Sequence, residues 1–298
     1  MGYVVGVLIL SAVQAIATTG LAIFTGFTGQ FSLGHAAFMA IGAYTAAILT
    51  HFFGVPFVPA IFAGALMATA SSFVIGIPTL KAKLRSDYFA IATLGFGEAV
   101  RVLLENLDIT QGARGLPGIA RLTDLPVALV TLAVVTWLAW DYIHSRYGWR
   151  AVAVREDAIA AEMIGVNVFQ TKLRSLACSA AFCGVAGALL AHYLMFIQPA
   201  MFTGVQSTAL ITAVVAGGIG SLTGPILAAS VFVILPEFLR MANMWRLVIY
   251  GLMLILIMIF RPAGLMGYRE FSLKPLLALW KRLANRKPRA KGRATSAS

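Results

Sequence analysis

Long apolar stretches, separated by a few polar or turn residues, run through most of the chain. Their lengths of about 17–25 residues match helices crossing a hydrocarbon core about 30 Å thick. The pattern predicts an all-α polytopic membrane protein. Spans are predicted at about Tyr3–Phe24, Gly34–Phe53, Phe57–Ile77 (stopped by Pro78), Leu125–Ile143 and Leu173–Ile197. Residues 205–239 are apolar but interrupted by Gly217, Gly218, Gly220, Gly224 and Pro225. Such breakers predict two helices, about Val205–Gly218 and Pro225–Leu239. A last span is predicted at about Trp245–Phe260. Tyr88–Leu107 differs, because Glu98 and Arg101 interrupt it, and predicts an amphipathic or membrane-dipping helix.

Charge sharpens this picture. Residues 1–80 contain no Lys, Arg, Asp or Glu, whereas the segment after Glu270 holds eight Lys or Arg and no acid. The 298 residues are 60% apolar and 11% charged, against roughly 25% charged in a soluble domain. The net charge of +12 is sorted into segments flanking the spans. It therefore reads as topology and contact with anionic lipid, not as nucleic-acid binding. Lys81, Lys83 and Arg85 form one cluster; Arg146, Arg150, Arg155, Lys172 and Arg174 form another; Arg261 and the tail form a third. All three fall in the cytoplasm if Tyr88–Leu107 crosses and residues 205–239 cross twice. That arrangement has nine crossings, with the N-terminus out and the C-terminus in; a dipping Tyr88–Leu107 leaves eight. Residues 1–265 form the transmembrane domain, with a cytoplasmic segment at 146–172. Residues 266–298 form a basic cytoplasmic tail, partly disordered, against anionic headgroups. The first apolar stretch lacks a basic leader and runs on uncleaved.

Two glycine-rich breaks, Gly26–His35 and Gly217–Pro225, fall toward the same membrane face under this topology. Broken backbone is tolerated at membrane depth only where protein buries it or it lines a cavity. The breaks are therefore either pathway-lining elements or tight inter-helix turns. His35, beside the first break, either lines a cavity or is a hydrogen-bonded structural residue. Glu98, with Arg101 on the same helix face, is either an orienting ion pair or a substrate or gate contact. Cys178 and Cys183 read as small buried hydrophobes. No phosphate-binding glycine loop and no metal-ligand spacing occurs.

The polar island Gly148–Arg174 is the one long charged interruption. Ala151–Ile164 is free of helix breakers and predicts a helix ended by Gly165. Ala158, Ala161 and Glu162 share one side. Small alanines there suit close docking of another protein, with Arg155, Glu156, Asp157 and Glu162 as rim contacts. An ordinary interfacial loop helix is the alternative.

Several segments together resemble the LivM-like permeases of branched-chain amino acid ABC importers. They are GFTGQFSLGHAAFMAIGAYTAAIL (Gly26–Leu49), DYFAIATLGFGEAVR (Asp87–Arg101), GWRAVAVREDAIAAEMIGVN (Gly148–Asn167), SAAFCGVAGALLAH (Ser179–His192) and VVAGGIGSLTGPILAA (Val214–Ala229). The resemblance spans about residues 13–265. It implies the ABC importer permease fold and a bacterial inner-membrane location. It also implies a LivH-like second permease, two ATPase subunits that bind Mg-ATP, and a periplasmic binding protein. This chain would carry no cofactor and catalyse nothing itself. Ala158–Gly165 is similar to the family's coupling helix, with Glu162 and Gly165 in matching positions, although Ala-Ala precedes Glu162 where a strict motif begins with Glu. Many relatives carry extra N-terminal sequence, so a family helix is expected to be missing here. The implied substrate is a zwitterion with an apolar side chain, on a path that includes Gly29, Gln30, Ser32, Thr93, Gly217, Gly218 and Ser221. Related permeases carry urea or short amides. A stand-alone secondary transporter or channel, using Glu98 as relay, and a membrane-embedded enzyme are the competing classes.

Overall fold

The computed structural model describes residues 2–238 together with Gly251 and Gly264. The predicted span Trp245–Phe260, the end of Pro225–Leu239 and the basic tail lie outside the described residues. Helix α1 (Gly2–Leu21) continues into a π turn, Ala22–Gly26. It is followed by α2 (His35–Phe53), α3 (Phe57–Lys81), α4 (Ser86–Asn106) and α5 (Leu125–His144). Two short helices, α6 (Arg146–Glu156) and α7 (Ala158–Met163), precede α8 (Val168–Leu194), α9 (Gly204–Gly217) and α10 (Thr223–Phe238). Strands β1 (Leu116–Pro117) and β2 (Phe196–Ile197) pair antiparallel, with Leu116 opposite Ile197.

Among the described residues, six helical segments are long and apolar enough to cross a membrane: Gly2–Gly26, His35–Phe53, Phe57–Lys81, Leu125–His144, Val168–Leu194 and Pro199–Gly217. Helix α4 is not one of them, because Asp87, Glu98, Arg101 and Glu105 dilute its apolar face. Several predicted boundaries move, among them the end of Leu173–Ile197, where the helix stops at Leu194 and Phe196–Ile197 form β2. Helix α3 is not stopped by Pro78 but runs to Lys81. Proline there forfeits one backbone bond in the final turn, and Ala82 and Lys83 still donate to Pro78 O and Leu80 O at 3.1 and 3.2 Å. Helix α8 begins at Val168, five residues before the predicted Leu173, because Asn167 Oδ1 accepts from the Gln170 N–H at 2.9 Å.

Helix α1 is the centre of the bundle. Ile9, Val13, Ile16 and Leu21 are enclosed by α5, α8, α9 and α10. Helices α2, α3 and α8 form a second tight unit through glycines. A Cβ on Gly64 would stand 2.8 Å from Gly42 O, and one on Gly184 would stand 2.7 Å from Ala68 Cβ. Lipid tails are as apolar as side chains, so helices in a bilayer gain mainly from such close backbone approach.

The helix ends gather at two opposite poles. At one, Phe31 N–H donates to Ser86 Oγ (3.0 Å), Lys83 pairs with Glu162 (3.8 Å), and Gly26 lies against Ile219 O. At the other, β1 meets β2, His51 bonds Gly118 O (3.1 Å), and Leu122 N–H donates to His192 O (3.3 Å). The basic clusters Lys81–Arg85 and Arg146–Arg174 both lie at the first pole.

Gly184→Leu is expected to destabilise the chain by about 1–3 kcal/mol or more through overpacking against α3. Gly95, with open space around it, should tolerate leucine in the isolated chain. Thermal unfolding in detergent measures the difference; equal midpoints would refute glycine-limited packing.

Candidate functional site

The first break leaves α1 through the π turn and re-enters at His35. Between them, Gly29 takes φ +69°, a conformation that favours glycine. Backbone N–H groups of this loop and of the first turn of α2 are satisfied by side chains from two helices, α4 and α9. Ser86 Oγ accepts from Phe31 N–H at 3.0 Å, Thr93 Oγ1 from Leu33 N–H at 3.0 Å, and Ser207 Oγ from Ala36 N–H at 3.0 Å. His35 is fully buried, with Nδ1 2.9 Å from Ser32 Oγ and Nε2 2.6 Å from Ser179 Oγ. It is a structural clamp between the loop and α8. Gln30 is 7% exposed, and its Oε1, like Thr25 Oγ1, is buried without a hydrogen-bond partner among the described residues.

The second break closes on itself. Gly218 takes φ +123°, and the Ser221 N–H and Oγ reach Gly218 O at 3.3 and 3.4 Å. Gly217 and Gly224 sit so close that neither position has room for a Cβ. Gly264 lies against Gly218 with equal closeness, a Cβ there standing 2.5 Å from Gly218 Cα. The breaks touch each other: a Cβ on Gly26 would be 2.5 Å from Ile219 O. The structure thus brings Gly29, Gln30, Ser32, His35 and Thr93 into one knot and seats Gly217, Gly218 and Ser221 beside it. Glu98 stands apart. Its Oε2 accepts from Arg101 Nε at 2.8 Å, Arg101 Nη1 reaches Glu105 at 2.5 Å, and the Glu98 side chain remains 45% exposed.

The island is not the single helix predicted over Ala151–Ile164. Asp157 adopts extended backbone (φ −154°, ψ 109°) and splits it into α6 and α7. Its Oδ1 accepts from Ile159 N–H at 2.8 Å and Ala160 N–H at 3.0 Å, so local capping wins over helix continuity. Gly165 does end α7, at φ +84°. Val166 N–H bonds Ala161 O and Gly165 N–H bonds Glu162 O, both at 3.0 Å, which is the Schellman arrangement. Nothing lies within 4 Å of a Cβ there, so glycine is needed for conformation and not for space.

The predicted docking face is turned around. Ala161 is buried against the body, and Ala158 and Glu162 face a cleft of about 680 Å³. The cleft lies between α7, the start of α8 and the Leu80–Leu84 segment, which contributes Lys81 and Lys83. Small alanines let α7 lie close to the bundle. Ile159, which also lines this cleft, Met163 and Ile164 are the exposed large apolar residues of this segment, at 76%, 84% and 77% exposure. Residue type alone hid them, since they look like core residues; the Asp157 cap and the 3.6-residue period locate them. Arg155 also departs from its predicted rim role. It points inward, with Nη1 donating to Gly26 O at 3.0 Å, while Glu156 is exposed.

Sequence comparison agrees with this architecture. A family model described as "Branched-chain amino acid transport system / permease component" matches residues 3–258. The high-affinity branched-chain amino acid transport permease LivM of Escherichia coli K12 is 34% identical over 300 residues, covering 89% of this chain and 70% of that protein. LivH of the same organism is 24% identical, covering 88% and 93%. A distant solved likeness is a chain of PsaBC from Streptococcus pneumoniae in complex with Fab, at TM-score 0.46 and 17% identity, covering 85% and 90%.

Asp157→Ala should loosen α7 by about 0.5–2 kcal/mol, while Asp157→Asn keeps most of the cap. Amide hydrogen exchange over residues 158–164 reads this directly; equal protection in both variants would refute the cap.

Proposed function

The chain belongs to the family of branched-chain amino acid transport permease components, and on that premise we propose that it is one half of the membrane gate of an ATP-driven importer. The outward apolar ridge Ile159, Met163 and Ile164 carries this reading. Three large apolar side chains held in water by a capped, Schellman-terminated helix call for a protein partner. An ATPase subunit is that partner here, and its closure on nucleotide would push α7 and bias the bundle between inward- and outward-open states. ATP hydrolysis belongs to the partner, and this chain supplies the passage.

The pole bearing both basic clusters is taken as cytoplasmic. Helix α4 is then a crossing helix. Its Ser86 end bonds the first break, while the stretch after Asn106 leads to β1 at the opposite pole. With Trp245–Phe260 this makes nine crossings, N-terminus out and C-terminus in, the basic tail against anionic lipid. Tyr88, Ile91, Gly95 and Val102 form an exposed stripe on α4, with the half-exposed Glu98 side chain among them. A glutamate on such a stripe is costly to place against lipid, which favours coverage by a second, LivH-like permease with the pathway between them. A branched-chain amino acid delivered by a periplasmic binding protein suits this largely apolar passage.

Met163→Asp combined with Ile164→Asp is expected to leave the chain in the membrane, to abolish co-purification of the ATPase subunits, and to lower leucine uptake at least tenfold, the order set by losing one or two buried apolar anchors. Normal uptake by that variant would sink the docking assignment. A bulky replacement of Gly165 should instead keep the ATPase bound and reduce uptake per ATP.

A further inference from the structure

Arg155 connects three parts of the molecule that are far apart in sequence. It sits in the last turn of α6, two residues before the Asp157 cap that starts α7. Among the described residues its guanidinium engages Glu156 and the Gly26 carbonyl. Nε and Nη2 donate to Glu156 Oε1 at 3.0 and 2.5 Å, and Nη1 donates to Gly26 O at 3.0 Å. The Arg155 side chain is 18% exposed, whereas that of Glu156 is 68% exposed. The stem runs over Gly29, where a Cβ would be 3.0 Å from Arg155 Cγ. Gly26 in turn rests against Ile219 O in the second break.

We propose that Arg155 is a positioning residue that transmits displacement of α7 to the two glycine breaks, through the Gly26 carbonyl. This inference rests on the importer reading above. The acceptor belongs to the π turn Ala22–Gly26, a wide turn of the kind that marks adjustable points in helices. A π turn holds one residue more than the α-helix needs, so its conversion to α geometry would rotate the chain that follows by about 100°. The chain that follows is the loop clamped by Ser86, Thr93, Ser179 (through His35) and Ser207. A strut on the Gly26 carbonyl therefore controls an element with two discrete arrangements. Arginine suits the task because its planar fork engages a carboxylate and a carbonyl at once, whereas lysine offers a point charge. Glycine at position 29 suits it because any side chain there would push the guanidinium stem aside.

The test uses the full complex of this chain with its partner permease and ATPase subunits in proteoliposomes, with binding protein and labelled leucine. The readout is leucine taken up per ATP hydrolysed. Arg155→Gln is expected to retain the ATPase subunits and to lower this ratio about tenfold, the order of one charge-assisted hydrogen bond. Arg155→Lys should recover part of the ratio. Gly29→Ala, which keeps the arginine but crowds it, should reproduce the drop. An unchanged ratio in Arg155→Gln overturns the proposal, as does loss of the ATPase subunits, which would make Arg155 a docking residue. If Arg155→Gln does not reach the membrane, Arg155→Lys and Gly29→Ala decide, and full coupling in both overturns it. Leucine uptake by the wild-type chain without ATPase subunits would instead refute the importer reading itself.

Discussion

Unpaired peptide groups are intolerable in a low-dielectric interior, and the loop between α1 and α2 carries several. A buried amide without a partner costs free energy comparable to a lost hydrogen bond, and more where water is absent. The loop meets this constraint with hydroxyls from elsewhere: Ser86 and Thr93 on α4, Ser207 on α9. His35 adds a link to Ser179 on α8. Each bond that solvates the break also fixes a helix against it. The placement of α4, α8 and α9 around the first break follows from where those hydroxyls must stand.

Close packing works in the same direction. Glycines at 42, 64 and 184 bring α2, α3 and α8 into backbone contact, and Gly26 brings the first break onto Ile219 in the second. The two breaks thus form one junction at the pole that also carries the island. Helix α7 projects from this junction with Ala161 buried and its large apolar residues exposed. The guanidinium of Arg155 fills the space between island and junction. The island, Arg155 and both helix breaks are contiguous at one end of the bundle.

The charged triad on α4 is a separate feature. Arg101 lies between Glu98 and Glu105, leaving the group one negative charge in excess. Glu98 stays partly exposed on an otherwise apolar stripe, where a carboxylate is costly to place against lipid. That face and the α7 segment lie on different elements of the bundle.

The apolar spans among the described residues, the two glycine breaks and the stop at Gly165 were legible in the order of residues, because each depends on local composition or short-range periodicity. The resemblance of several segments to one permease family was equally a property of that order. Other features arise only when distant segments meet. The hydroxyls that solvate the first break come from positions 86, 93 and 207, and no local pattern marks them. Asp157 sits in a run of helix formers, and its side-chain cap divides that run in two. Ala161 is buried and Met163 exposed because packing of α7 against α6 and α8, not residue type, chose which face is covered. Arg155 looked like a surface charge until Gly26, more than a hundred residues earlier, supplied its acceptor. Hydropathy along a chain reports which residues avoid water; which backbone groups need a partner, and who provides it, is settled in three dimensions.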